Sequence, residues 1–260
     1  MRINLHFINA FSKLEKSGNP ACVVPLEKWL NDSKMLEIAK KNKVAETAFF
    51  LKKEKYYYLR WFTPEIEMDL CGHATLATAH YIFTKNKNLD EIHFKTKSGM
   101  LRVSCLNEVY KMVLPRREGK PTILPKIIKN SLNIQPKEVY KSRDYLLVYN
   151  SQSDIESISI DREIFDQINL NPGGVIVTSV GENHDFVSRF FTPQASILED
   201  PVTGSAHCTL TPYWSKRLNK KELKAAQLSK RGGEIHCIDN GISVTISGHA
   251  LTCYTKTMIL

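Results

Sequence analysis

The sequence predicts an α+β fold of two homologous domains related by a pseudo-two-fold axis, each with one helix buried at its centre. Three observations carry this. The stretch RWFTP, Arg60 to Pro64, recurs as RFFTP, Arg189 to Pro193. Each copy closes a strand-like run, and each is soon followed by a glycine, Gly72 or Gly204, that opens an apolar helix. The two arginines stand 129 positions apart and the two glycines 132, too long for a solenoid period and suited to a duplicated domain. The second copy thus carries three extra residues, expected around Glu199, Asp200 and Pro201. Size agrees, since 260 residues can form two domains of about 100 to 150 residues, each with its own core.

Residues 3 to 11, INLHFINAF, alternate as a strand does, and ACVVPL after the Gly18-Asn19-Pro20 turn reads as its hairpin partner. In NDSKMLEIAKKN, Asp32 or Ser33 serves as N-cap and Met35, Leu36 and Ala39 share one face, the pattern of a short amphipathic helix. TAFFL and YYYLRWF are two more strands. After Pro64, the run opened by Gly72 is apolar nearly all round, as in a helix enclosed by its domain. The second half repeats the order: GGVIVTS and DFVSRFF as strands, then SAHCTLTPYWSKRL as the second apolar helix. The first domain is read as 1–115, the proline-rich and charged stretch 116–125 as linker, and 126–248 as the second domain. The last strand, about 249–260, returns to the first.

Composition is that of an ordinary globular protein, 42% hydrophobic and 24% charged. MRINLHFINAF lacks the pattern of a signal peptide and no window is long and apolar enough to span a bilayer, so a cytoplasmic protein without membrane contact is expected. Cys22, Cys71, Cys105, Cys208, Cys237 and Cys253 show neither paired nor zinc-ligand spacing, and most of them read as reduced, buried small hydrophobes. The net charge of +9 fits an anionic substrate; the lysines are dispersed rather than clustered with aromatics, which argues against a nucleic-acid partner.

A helix opened by a glycine presents free backbone N–H groups and a positive dipole end. Two such ends, at Gly72-His73 and Gly204-Ser205, can meet one carboxylate across a cleft between the halves; the alternative is that each glycine only lets its helix pack closely. A cleft of this kind suits racemisation by two thiols, one per half. Cys71 stands before Gly72, but its counterpart before Gly204 is Thr203, whose hydroxyl is too weakly acidic, so the thiol pair is broken. Glu46, in KVAETAFF, is the remaining acid/base candidate, because burial in apolar surroundings favours the protonated form of a carboxyl group. It could equally cap an element or pair with Arg60. His73 can donate to a substrate oxygen or be structural, and Asp200 can hold a polar substrate group or act as a plain helix-start acid.

GNPACVV (18–24), ETAFF (46–50), RWFTPEIEMDLCGHATLATAH (60–80) and RFFTPQASILEDPVTGSAH (189–207) together resemble the signature segments of PhzF-like proteins, the phenazine-biosynthesis isomerase family. That family shares its fold with diaminopimelate epimerase and proline racemase. The resemblance implies two domains, each a curved sheet or barrel around its central helix, with the active site between them. It implies that Glu46 is the catalytic glutamate, which in the named member shuttles a proton between two carbons of trans-2,3-dihydro-3-hydroxyanthranilate. It further implies that His73 and Asp200 contact substrate, that Gly72, Gly204 and Ser205 bind an anion through the backbone, with Cys71 and Thr203 beside them, and that no metal or organic cofactor takes part. A homodimer is expected on the same ground. Asn9 and Cys22 depart from the family pattern, which usually has Asp and Ala there. The alternatives are a two-base epimerase using Cys71 and a non-catalytic protein that binds an anionic metabolite.

Overall fold

A computed structural model describes residues 2–170 and 173–259. In chain order the elements are β1 (Arg2–Ala10), β2 (Asn19–Pro25), α1 (Asp32–Asn42), β3 (Glu46–Lys53), β4 (Tyr56–Phe62), β5 (Glu67–Met68), α2 (Gly72–Lys85), β6 (Glu91–Thr96), β7 (Gly99–Leu106) and β8 (Val109–Pro115). There follow β9 (Lys120–Pro121), α3 (Lys126–Ser131), β10 (Glu138–Lys141), β11 (Tyr145–Val148), α4 (Gln152–Ser157), α5 (Arg162–Phe165), β12 (Val175–Val180), β13 (Phe186–Phe191) and β14 (Glu199–Asp200). A single 3₁₀ turn, Gly204–Ala206, leads into α6 (His207–Leu218), and β15 (Glu222–Gln227), β16 (Gly233–Asp239), β17 (Ser243–Gly248) and β18 (Ala250–Ile259) complete the chain. Two compact units divide it: Met1–Val113 with Ser247–Leu260, and Leu114–Ile246. Residues 116–125, read above as a linker, belong to the second unit, and Lys120–Pro121 within them pair with β10.

In the first unit the strands pair in the order β18, β1, β2, β3, β4, β6, β7, β8. The sheet is mixed, with β2–β3 and β4–β6 parallel. Strand alternation sends Cys22, Val24 and Phe49 to one face, where Met35, Ile38 and Ala39 of α1 cover them. Burial of a side chain such as Met35 or Ile38 contributes about 1.5–3 kcal/mol. The helix boundary differs from expectation. Asn31 is the N-cap of α1, its Oδ1 accepting from the Lys34 N–H at 2.8 Å, while Asp32 turns to Arg60. The buried face uses Ile38, with Leu36 only partly covered. Strands β1, β2, β3, β7 and β18 all pack against α2, so the sheet curls round a helix buried from Gly72 to Ala79.

The second unit repeats this series. Its order is β9, β10, β11, β12, β13, β15, β16, again with two parallel pairs, β11–β12 and β13–β15, in corresponding places. Helices α3, α4 and α5 bring Ile128, Ile155 and Phe165 to the core on one face. On α6, Trp214 stacks on Phe186 and donates its indole N–H to Thr178 Oγ1 at 3.0 Å. Pro212 lies inside α6 and has no N–H for the Cys208 carbonyl one turn back. That carbonyl is taken instead by the Arg117 backbone N–H at 2.9 Å.

The repeated arginines explain the repeated pentapeptide. Arg60 grips Glu67 with two hydrogen bonds, 2.7 and 2.8 Å, and Arg189 grips Glu199 with two of 2.7 and 2.9 Å. Each pair fastens a two-residue strand, β5 or β14, to the strand before it. Glu199 is therefore the counterpart of Glu67. The three extra residues lie in the loop between Phe191 and Glu199, not around Asp200 as the sequence suggested.

Candidate active site

Glu46 is the first residue of β3, in register with Ala21 of β2. Its place is fixed by the end of α1, where Lys43 turns the chain in the left-handed region at φ 54° and Asn42 Nδ2 donates to Thr47 Oγ1 at 3.0 Å. The carboxylate does not reach for Arg60, which is committed to Glu67 and Asp32. It faces His73 instead. Glu46 Oε2 lies 3.1 Å from His73 Nε2, within ion-pair reach but outside hydrogen-bond geometry, with the imidazole 3% exposed and the carboxylate 15%.

His73 is held at the start of α2 by the buried helix, and its other ring nitrogen faces two groups. Asn19 Nδ2 is 3.0 Å from Nδ1 and Cys71 Sγ is 3.6 Å from it. Asn19 was not singled out by the sequence reading, although it stands in GNPACVV; the contact spans 54 residues, which local patterns do not report. Burial pulls the His73 pKa down, but Cys71 and Glu46 outweigh it and hold the ring well above its ordinary value. Burial, aided by the Glu46 charge, pushes the Cys71 thiol up. Among the described residues, the donor atoms of Glu46, Cys71 and His73 lie within 4.8 Å of one another, near enough to hold a cation. One ring nitrogen of His73 faces the Glu46 carboxylate and the other faces Asn19 and Cys71.

In the second unit, Asp200 ends β14 and accepts a short hydrogen bond from the Thr203 hydroxyl. Gln227, also missed by the sequence reading, ties this corner together. Its Oε1 accepts from the Thr203 N–H at 2.8 Å and its Nε2 donates to the Asp200 carbonyl at 2.6 Å. Gly204 and Ser205 form the 3₁₀ turn that precedes α6, so the apolar helix begins at His207 rather than at the glycine itself. His207 repeats a bond of the first unit: its Nδ1 meets the Thr203 carbonyl at 2.9 Å, as Thr75 Oγ1 meets the Cys71 carbonyl at 2.6 Å. Neither α2 nor the 3₁₀ turn has a side-chain cap or an acidic residue in its first turn. Their positive ends are not neutralised by carboxylates of their own helices.

The units thus differ where they correspond. The position that matches Glu46 holds Gly174, just before β12, while Cys71 and His73 are answered by Thr203 and Ser205. The Glu46–His73 pair therefore has no counterpart at the corresponding positions of the second unit, Gly174 and Ser205. A sequence profile of the phenazine biosynthesis-like (PhzC-PhzF) family matches residues 8–256. The chain belongs to the PhzF family. An uncharacterized isomerase of Pseudomonas aeruginosa is 40% identical over the whole of both chains. The human phenazine biosynthesis-like domain-containing protein is 37% identical across 95% of this chain and 94% of its own. Among solved structures, a PhzF-family protein of Enterococcus faecalis superposes with a TM-score of 0.92 at 40% identity, covering 100% of both chains. A probable proline racemase of Agrobacterium radiobacter shares the fold at 10% identity, with a TM-score of 0.67 and coverage of 99% of this chain and 93% of its own. The fold is that of the diaminopimelate epimerase-like group, and the chain is an isomerase by class, as its bacterial relatives are named. Among the described residues no helix is long and apolar enough to cross a membrane.

Proposed function

We propose that this PhzF-family member is a cofactor-independent isomerase that moves a proton within a small carboxylated substrate, with Glu46 as the single general base and acid. The observation that carries the reading is the Glu46–His73 pair, 3.1 Å apart at the start of α2, with Gly174 at the position that corresponds to Glu46. The carboxylate takes a proton from one substrate carbon and returns it to another. His73 donates to a substrate oxygen or steadies the charge on Glu46. The uncapped start of α2 at Gly72 receives the substrate carboxylate, and Asp200, Thr203, Gly204 and Ser205 are further substrate-binding residues in this reading. Two-base chemistry by thiols is disfavoured by the burial of Cys71 and by Thr203, whose hydroxyl is committed to Asp200.

The test is proton NMR in D₂O with a panel of small amino and hydroxy carboxylates, watching for loss of a C–H signal. A positioned acid/base contributes about 100- to 10,000-fold in rate. Glu46→Gln is expected to reduce exchange by that factor while leaving ligand affinity intact; full exchange in that variant overturns the proposal. His73→Ala and Asp200→Ala are expected to weaken affinity as well as rate, and unchanged affinity in both removes their contact roles. A non-catalytic metabolite binder would keep its function in Glu46→Ala.

A further inference from the structure

Asn19 is fully buried, and the residue before it explains how it is aimed. Gly18 takes φ 74°, and a Cβ there would stand 2.4 Å from the Ala10 carbonyl oxygen, so only glycine serves at this entry to β2. The Asn19 side chain is thereby held with Nδ2 at 3.0 Å from His73 Nδ1. An amide N–H can meet a ring nitrogen only if that nitrogen offers its lone pair. The single proton of the neutral imidazole then sits on Nε2, on the side of Glu46. Cys71, whose burial keeps it a thiol, also brings a donor to Nδ1. Among the described residues, two donors stand against the ring's nitrogens on one side, Asn19 of β2 and Cys71 before α2, and one acceptor on the other, Glu46 of β3.

We propose that Asn19 is a positioning residue, whose amide fixes His73 in the Nε2–H tautomer so that Glu46 always faces a donor. The proposal rests on the reading of Glu46 as acid and base. The proton taken from the substrate goes to the Glu46 carboxylate and leaves from it, while His73 keeps its own Nε2 proton throughout. In the reverse tautomer Glu46 would face a lone pair, and its charged form would lose the partner that steadies it.

The experiment is nitrogen-15 NMR of the full chain labelled at histidine, with the His73→Gln spectrum identifying one signal among the eight histidines. Wild type is expected to show a bare Nδ1 and a protonated Nε2 at His73 when the ring is neutral. Asn19→Asp keeps the shape but offers acceptors only, so it should protonate Nδ1 and lower substrate C–H exchange about tenfold or more in kcat, with KM little changed. Asn19→Leu should give a mixture of tautomers. A protonated Nδ1 in neutral wild-type His73, or unaltered ring signals and rate in Asn19→Asp, overturns the proposal. The wild-type spectrum decides the matter even if a variant fails to fold. If Glu46→Gln retained exchange, the acid/base reading would fall, yet the His73 spectrum would still show whether Asn19 sets the tautomer.

Discussion

Cys71 shares a hydrogen-bonded group with His73, yet it is 5% exposed and burial, with the Glu46 charge, pushes its thiol up. The thiolate is the reactive form of cysteine, so such a thiol is inert. Native protein treated with iodoacetamide at neutral pH is expected to keep Cys71 unmodified by mass spectrometry, and Cys71→Ala is expected to retain most of the proton exchange. Substrate-protected alkylation of Cys71 with loss of exchange would restore the two-base reading. The same corner shows what a sequence discloses at this scale. Glu46, Cys71 and His73 are legible because each stands in a compact motif beside an element boundary. Asn19 and Gln227 are not, because their partners lie 54 and 24 residues away and only the folded sheet brings them together. The choice between Arg60 and His73 as the partner of Glu46 likewise depends on strand pairing. Register with Ala21 sets Glu46 beside Asn19's strand, whereas Arg60 lies across β3 from Phe49.

At the scale of elements, the duplicated helices and strands were legible from apolar periodicity and the pentapeptide repeat, while their ends were not. Asn31, Asp32 and Ser33 are all competent N-caps, and the claim of Arg60 on Asp32 decides the matter in favour of Asn31. The three-residue insertion was misplaced for a similar reason: Glu199 is recognised as the partner of Arg189 only once β13 and β14 are seen to pair. These two ion pairs carry a prediction. Glu67 is 12% exposed, and although burial works against its charge, Arg60 and Lys97 outweigh it and lower its pKa. Its stabilising contribution is present above its unfolded pKa and is lost as pH falls through the lowered folded value. Hydrogen bonds to charged groups contribute about 1.5–3 kcal/mol, so Glu67→Gln and Glu199→Gln should each destabilise by about 1–3 kcal/mol in urea denaturation at neutral pH. The loss should shrink for Glu67→Gln in acid, where the wild-type carboxylate is itself protonated. A loss below about 0.5 kcal/mol for both would mean that the pairs behave as exposed surface bridges.

For the whole molecule, buried histidines whose shifts have opposite signs contribute to the dependence of stability on pH. His207, the first residue of α6, is wholly enclosed, and burial, only partly offset by its bond to the Thr203 carbonyl, takes its pKa from 6.5 to about 4. The folded chain holds this ring neutral where the unfolded chain protonates it. Its contribution is therefore complete above pH 6.5 and is lost as pH falls toward about 4, with no further loss below that value. A drop from 6.5 to about 4 corresponds to roughly 3 kcal/mol. His6 and His80, both lowered first by burial, act in the same sense. His73 acts oppositely: its raised pKa stabilises fully below the unfolded value of 6.5 and fades as pH climbs through the folded one. The two windows do not overlap, which makes them separable. Urea denaturation across pH should show an acid limb that begins near 6.5 and becomes shallower in His207→Gln, and an alkaline decline that flattens in His73→Gln. The variants should leave each other's limb unchanged, because the histidines belong to different units of the chain. An acid limb of full slope in His207→Gln would assign the loss to His6, His80 and the carboxylates, and would mean that the ring at the start of α6 takes up its proton without opening the fold.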